Sequence, residues 1–349
     1  MSFLFPSQTI TLEAALRDLS QGNPKSRAAA AHALGDVGDP AEKRRAVEAL
    51  LRAIDDDRPE VRAEACASLG DLGDPEALPM LIRRLDDGTA PVRQNAAIAL
   101  GSLGHADGFE PLVQALREGP ADLRFQAATS LAEIDQVRAF EPLTGALDDR
   151  DPQVVSAAAL SLGAIGNPAA VALLAARYAQ ITDAATRFDI AYALSELGDA
   201  TGRDALIQAT GEAERAWDAV TALGKLATMD DVEALGRALL NKRTPPEATV
   251  LAAGTVLRIA PESAHHDAAR RVLLASLAVR KTHVRGIGIE QLAEIGGDWA
   301  VAPLEKLATS RKGAELRDEI AAALRRIKDR AGSNVRSTQV PEAEPETEP

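Results

Sequence analysis

The residue types that usually carry nucleophilic, acid–base or metal chemistry are scarce in this chain, and their spacing organises none of it. There are five histidines, His32, His105, His265, His266 and His283, and one cysteine, Cys66. No histidine stands beside a glutamate as a His-Glu pair, and the adjacent His265 and His266 would point to different faces of a helix. No Cys-x-x-Cys exists, every glycine cluster reads as a helix terminus rather than a phosphate loop, and no Ser-His-Asp arrangement follows from the spacing. What recurs is arginine: Arg27, Arg62, Arg93, Arg124, Arg187, Arg285 and Arg317 occupy one position of a repeating unit, where Val155, Ala216 and Thr249 stand in the remaining copies. A regular column of guanidinium groups can either grip phosphates or bond carboxylates and carbonyls through its planar fork of donors.

The unit that positions these arginines returns about every 32 residues. The copies align on an aliphatic anchor seven residues after the arginine position: Leu34, Leu69, Leu100, Leu131, Leu162, Leu194, Leu223, Val256, Leu292 and Leu324. A second aliphatic residue follows each anchor by three, from Val37 to Ile327, without exception. Helical spacing inside a period of this size marks a stack of helix pairs. In the copy at 74–104, Asp74 and Pro75 signal a helix start, and Leu78, Leu81, Ile82 and Leu85 form an apolar stripe. Pro79 falls within that stripe and predicts a bend, as do Pro111, Pro142 and Pro303 in their copies. After Asp87-Gly88-Thr89 a second helix begins near Pro91, buries Val92, Ala96, Leu100 and Leu103, and ends at Gly104. Gly38, Gly73, Gly166, Gly198 and Gly296 hold the same place, which suits a left-handed terminus. Ten repeats are expected, the first helix at about 11–20 and the last at about 313–330, with the copies around 229–280 matching least well.

Composition agrees with this reading. Hydrophobic residues make up 46% of the 349 and aromatics only 3%, so alanine and leucine must fill the core. The net charge of −13 argues against nucleic acid, which needs a basic surface. Cys66, three residues before an anchor, reads as a small core residue. The opening Met1-Ser2-Phe3-Leu4-Phe5-Pro6 lacks the basic region and apolar stretch of a signal peptide, and no apolar run approaches a membrane span. A cytoplasmic protein without cofactor or metal is expected. Residues 1–10 are expected to be an apolar flap over the first repeat, 11–330 the solenoid, and 331–349 a disordered acidic Pro/Glu tail.

Pro59-Glu60-Val61-Arg62 with Leu69-Gly70-Asp71-Leu72-Gly73-Asp74-Pro75, and its copies over about 11–328, resemble HEAT repeats, specifically the bacterial HEAT-like type known from phycobilisome lyases. The resemblance implies an all-α, right-handed solenoid. It implies that the arginine column pairs with aspartates between the two helices of a repeat, here Asp55, Asp56, Asp86, Asp87, Asp148 and Asp149, so that the column holds register rather than a ligand. It also implies that second helices line the concave side. Outward positions there carry Ile98, Phe125, Leu160, Phe188, Tyr192 and Trp217, with Asp122, Glu133, Asp189, Glu196 and Asp218 as an acidic rim. Such a groove suits a protein segment with apolar anchors and basic flanks. The expected function is a non-catalytic interaction scaffold. The alternatives are a bilin lyase or isomerase subunit, for which no bilin site is identifiable, and a HEAT-like nucleic-acid enzyme, which the acidic face disfavours although Trp217 and Asp218 adjoin.

Overall fold

The computed structural model describes residues 11–226 and 228–337. The expected flap at 1–10 with Phe3, Leu4 and Phe5, and the tail from 338, lie outside them. Among the described residues there are twenty α-helices and no strand, in ten consecutive pairs. The pairs are α1 (Leu12–Gln21) with α2 (Pro24–Gly35), α3 (Pro40–Ala53) with α4 (Pro59–Leu72), α5 (Leu78–Arg84) with α6 (Ala90–Leu103), α7 (Phe109–Glu118) with α8 (Ala121–Ile134), and α9 (Gln136–Ala146) with α10 (Pro152–Ile165). They continue as α11 (Ala170–Gln180) with α12 (Ala184–Glu196), α13 (Arg203–Ala209) with α14 (Ala216–Leu226), α15 (Val232–Leu240) with α16 (Pro246–Ile259), α17 (His266–Ser276) with α18 (Thr282–Ile295), and α19 (Asp298–Ala308) with α20 (Arg317–Ser337). The last helix thus continues to Ser337, beyond the expected boundary near 330.

The chain forms two compact units, Met1–Leu197 with six pairs and Gly198–Pro349 with four. Within the first unit α2, α4, α6, α8, α10 and α12 stack one on the next; within the second, α14, α16, α18 and α20 do. The first helices touch one another far less, so the second helices form the tighter, inner side of each unit. Nine anchors, Leu34 to Leu292, are fully buried, while Leu324 is half-buried because no further described repeat covers it. Cys66 is fully buried in α4, and burial pushes its thiol up to about 12.

Close stacking depends on small residues at one register. A Cβ placed on Gly70 would lie 2.8 Å from the Ala99 Cα of the next second helix, and one on Gly163 would lie 2.8 Å from the Ala193 Cα. The same contact joins Gly35 to Ser68 and Gly101 to Ser130. Serines add tethers across the stack: Ser68 Oγ donates to the Ala31 carbonyl at 2.9 Å and Ser161 Oγ to the Ala128 carbonyl at 3.0 Å.

Two expectations about local backbone change. Pro79 and Pro111 do not lie mid-helix: short 3₁₀ turns, Pro75–Ala77 and Ala106–Gly108, precede α5 and α7 and place each proline in a first turn, where its missing N–H breaks no bond. Pro142 and Pro303 do lie inside α9 and α19. Gly73 and Gly104 take the expected left-handed conformation, φ 62° in each, as do Gly166 and Gly198. Gly38 and Gly296 do not: α2 has already ended at Gly35 with Asp36 as its cap, and Gly296 closes α18 at φ −64° with its N–H on the Leu292 carbonyl.

Candidate functional site

The arginine column forms a ladder in the first unit. Arg124, on α8, donates from Nε to Asp149 Oδ2 at 2.7 Å and from Nη2 to Asp149 Oδ1 at 2.8 Å, while Nη1 bonds the Gly119 carbonyl at 3.0 Å. One side chain therefore ties the turn before its own helix to the turn of the next repeat. Arg62 bonds both oxygens of Asp87 at 2.9 Å and the Asp56 carbonyl at 2.9 Å. Arg27 holds Asp56 at 2.8 and 2.7 Å, and Asp57 at 2.6 Å. Hydrogen bonds from Arg124 outweigh burial and hold the Asp149 carboxyl below its ordinary value. For Asp87, burial acts upward, but the bonds from Arg62, Thr89 and Arg84 together bring it well below the carboxylate range.

The rung at Arg93 corrects an expectation. Its Nη2 bonds Asp122 at 2.8 Å, so this acid belongs to the ladder and not to a free rim. The turn before α8, Glu118-Gly119-Pro120, offers no aspartate, and the acid is supplied from the first turn of the helix instead. Arg187 bonds the Tyr178 and Ile181 carbonyls at 3.0 and 3.3 Å and lies 4.0 Å over the Tyr178 ring. Arg317 is exposed at the start of α20, with no hydrogen bond or ion pair among the described residues. The second unit, whose α14 and α16 carry Ala216 and Thr249 at the ladder position, is pinned differently. Arg203 on α13 reaches Thr228 Oγ1 at 3.0 Å and forms an ion pair with the fully buried Asp231 at 3.1 Å.

On the inner face of the first unit, α8, α10 and the start of α12 enclose an open groove of about 730 Å³. Phe125, Ala157, Leu160 and Ala164 form its apolar floor, with Thr129, Gln153, Ser156, Asp183, Thr186 and Asp189 around them. Asp183 is fixed there because its carboxylate caps α12, accepting from the Thr186 N–H at 2.8 Å and Thr186 Oγ1 at 2.9 Å. Leu160 is 39% exposed and Ile98, on the neighbouring α6, 42%. Both stand apart from the nine fully buried anchors.

The structure brings Phe125, Leu160 and Asp189 to one groove. It does not leave Phe188 facing solvent as expected: the ring is 6% exposed and packs 6.5 Å, tilted by 39°, from Tyr192 one turn on, which is itself half-buried. Two rings four residues apart on a helix cover each other, and that removes the first from water. Trp217, 39% exposed, and Asp218, exposed, lie on α14 in the second unit. Of the other rim acids, Glu196 is half-buried near the end of α12. Glu133 is exposed on α8 without a hydrogen bond or ion pair among the described residues, and desolvation by its surroundings raises its carboxyl. Asp183 and Gln153, at helix starts, were not among the expected site residues; their signal was the helix-start pattern of Asp183 before α12 and Pro152 opening α10. No group of three or more candidate metal ligands occurs among the described residues, and none of their helices is long and apolar enough to cross a membrane.

Comparison with known families and structures follows the same lines. The profile for HEAT repeats matches residues 11–101, 109–195 and 148–224, and that for the PBS lyase HEAT-like repeat matches 92–118. Comparison with curated protein sequences returns no significant match. Among solved structures, yeast importin-beta (Kap95p) aligns with a TM-score of 0.59 at 13% identity, over 94% of this chain and 52% of that one. Its Kap95:Nup1 complex aligns at 0.57, 14% identity, with the same coverage. The E. coli protein YibA aligns at 0.51 and 18% identity, over 75% of this chain and 94% of that one. The CpcE–CpcF complex of phycocyanin lyase from Nostoc sp. PCC7120 aligns at 0.40 and 22% identity, over 78% of this chain and 98% of that one.

Proposed function

Because the chain belongs to the HEAT-repeat family, we propose that it is a non-catalytic protein-interaction scaffold whose first unit receives a partner segment in the groove between α8, α10 and α12. The observation that carries this reading is the apolar floor at exposed Leu160 and half-buried Phe125, with exposed Ile98 on the neighbouring α6. Exposed aliphatic and aromatic residues gathered in a concavity lose water favourably when a partner covers them. Asp183 and Asp189 at the edge favour a segment whose apolar anchors are flanked by lysine or arginine. Phe188 packs against Tyr192 and Asp122 serves as a ladder acid, so the proposed contact set is Ile98, Phe125, Leu160 and Asp189. A similar fold in yeast importin-beta occurs in complex with Nup1. We place the protein in a reducing, cytoplasmic setting, with which its single buried thiol is compatible.

The test is affinity capture from the source cell with wild type and with Ile98→Asp/Leu160→Asp, both shown to be folded by circular dichroism. The expected outcome is a protein retained by wild type and lost by the folded variant. Equal retention by both would overturn the groove. A second reading, a bilin lyase subunit, has the match of one repeat at 92–118 in its favour. It predicts an absorbance shift on mixing with a bilin, and the scaffold reading predicts none.

A further inference from the structure

The cleft between successive repeats is where a ladder rung lies, and its walls differ along the chain. Between α7–α8 and α9–α10 the walls are charged: Arg117, Glu118, Glu141 and Asp148 line the cleft together with the Arg124–Asp149 pair. The equivalent cleft between α15–α16 and α17–α18 is apolar. Thr249 stands there in the place of Arg124, and Val279 in the place of Asp149. The turn itself is unchanged, since the Val279 N–H bonds the Ser276 carbonyl at 3.1 Å as the Asp149 N–H bonds the Ala146 carbonyl at 3.1 Å. Thr249 Oγ1 donates to the Pro245 carbonyl at 3.0 Å, so it keeps a bond to its own turn and makes none to the next. Both members of one ion pair are replaced together, and the space they would fill is open.

That space is a pocket of about 320 Å³, lined chiefly by Leu239, Leu240, Val250, Val272, Val279 and Val284. Its volume is at the small end of ligand sites and suits an inserted side chain. Leu240 is 62% exposed, so this apolar wall meets water. The charge around it is basic. Lys242 is the one charged residue of the lining among the described residues, and Arg243 and Arg280 each adjoin a lining residue. All three are exposed, and none forms an ion pair among the described residues. Acids on the neighbouring helices are already engaged: Glu247 on α16 by Lys281 at 3.2 Å and His283 at 2.7 Å, and Glu233 on α15 by His265 at 3.0 Å. An unneutralised basic rim on a chain of net charge −13 selects an acidic occupant.

We propose that this pocket is a second docking site, for an acidic segment of another protein that inserts one aliphatic or aromatic side chain between flanking aspartates or glutamates. The side chain takes the place that the arginine stem holds at a filled rung, and the flanking acids meet Lys242, Arg243 and Arg280. The site lies in the second unit and prefers the opposite charge to the groove of the first, so it does not depend on that groove.

Selection of a random peptide library on the full chain tests it, with the selected peptides synthesised and titrated by fluorescence anisotropy. The expected result is a class of peptides with an apolar residue between acids, whose binding weakens in high salt. Thr249→Arg/Val279→Asp, which rebuilds the ladder pair inside the pocket, is expected to weaken that class about tenfold or more. The surface variants Leu240→Asp and Lys242→Glu/Arg280→Glu are expected to do the same, and they serve if the rebuilt pair disturbs folding by circular dichroism. Ile98→Asp/Leu160→Asp is expected to leave this class unchanged. Selection of no acidic class would overturn the proposal, as would equal binding of that class by the folded pocket variants. Loss of binding in Ile98→Asp/Leu160→Asp would also overturn it, by placing these peptides in the first unit.

Discussion

A guanidinium that holds its own turn's carbonyl with one nitrogen and the next turn's carboxylate with two others serves two repeats at once. Arg124 shows how much depends on it, since both it and Asp149 are largely withdrawn from water. Arg124→Ala leaves the Asp149 charge without its partner and is expected to cost about 3–5 kcal/mol in urea unfolding. Arg317→Ala, at an exposed position, is expected to change stability by less than about 0.5 kcal/mol. The ladder also sets a pH response. A carboxyl held below its ordinary value in the folded state adds stability above the unfolded carboxylate range, and that stability is lost as the pH falls through the depressed value. Melting temperature is therefore expected to drop on acidification below about pH 5, and less steeply in Asp149→Asn, which is already weaker at neutral pH. The arginines were legible because they recur at one register, and so were Asp56, Asp87 and Asp149. Asp122 was not, because its repeat lacks the aspartate-rich turn and the pairing acid lies inside the helix, where spacing alone makes it look like a surface charge.

At the scale of helices, the inner faces pack through contacts too short for any side chain. Gly70→Ala places a methyl group 2.8 Å from the Ala99 backbone, which neither helix can yield without shifting. A loss of about 1–3 kcal/mol is expected, measured by thermal unfolding against Gly145→Ala, whose Cβ meets nothing within 4 Å. Helix number, pairing and the buried anchors were readable because a period of 3.6 inside a longer period leaves little choice of fold. The bends at Pro79 and Pro111 were misread because periodicity does not distinguish a 3₁₀ entry turn from the helix it opens. Phe188 was misread for a related reason. Register gives the direction of a Cα–Cβ bond, but the ring's rotamer and its neighbour Tyr192 decide whether it meets water.

At the scale of the molecule, the boundary at Leu197–Gly198 separates six pairs from four, a division the repeat pattern does not announce because the anchors continue across it. The groove is likewise only half legible: Phe125 and Leu160 follow from spacing, whereas its polar edge comes from helix starts that three-dimensional stacking brings in from the next repeat. The two-unit arrangement has a practical consequence through residues that seem unrelated to it. Cys66 lies in the first unit, while both tryptophans, Trp217 and Trp299, lie in the second. With its thiol sealed in α4 and pushed up to about 12, Cys66 meets a labelling reagent only when its surroundings open. Intrinsic fluorescence and thiol capture therefore act as two clocks, one for each part of the chain, without any engineered dye. Arg124→Ala should advance the thiol clock in mild urea and leave the fluorescence midpoint nearly in place, and a common shift of both would mean that the two parts come apart together.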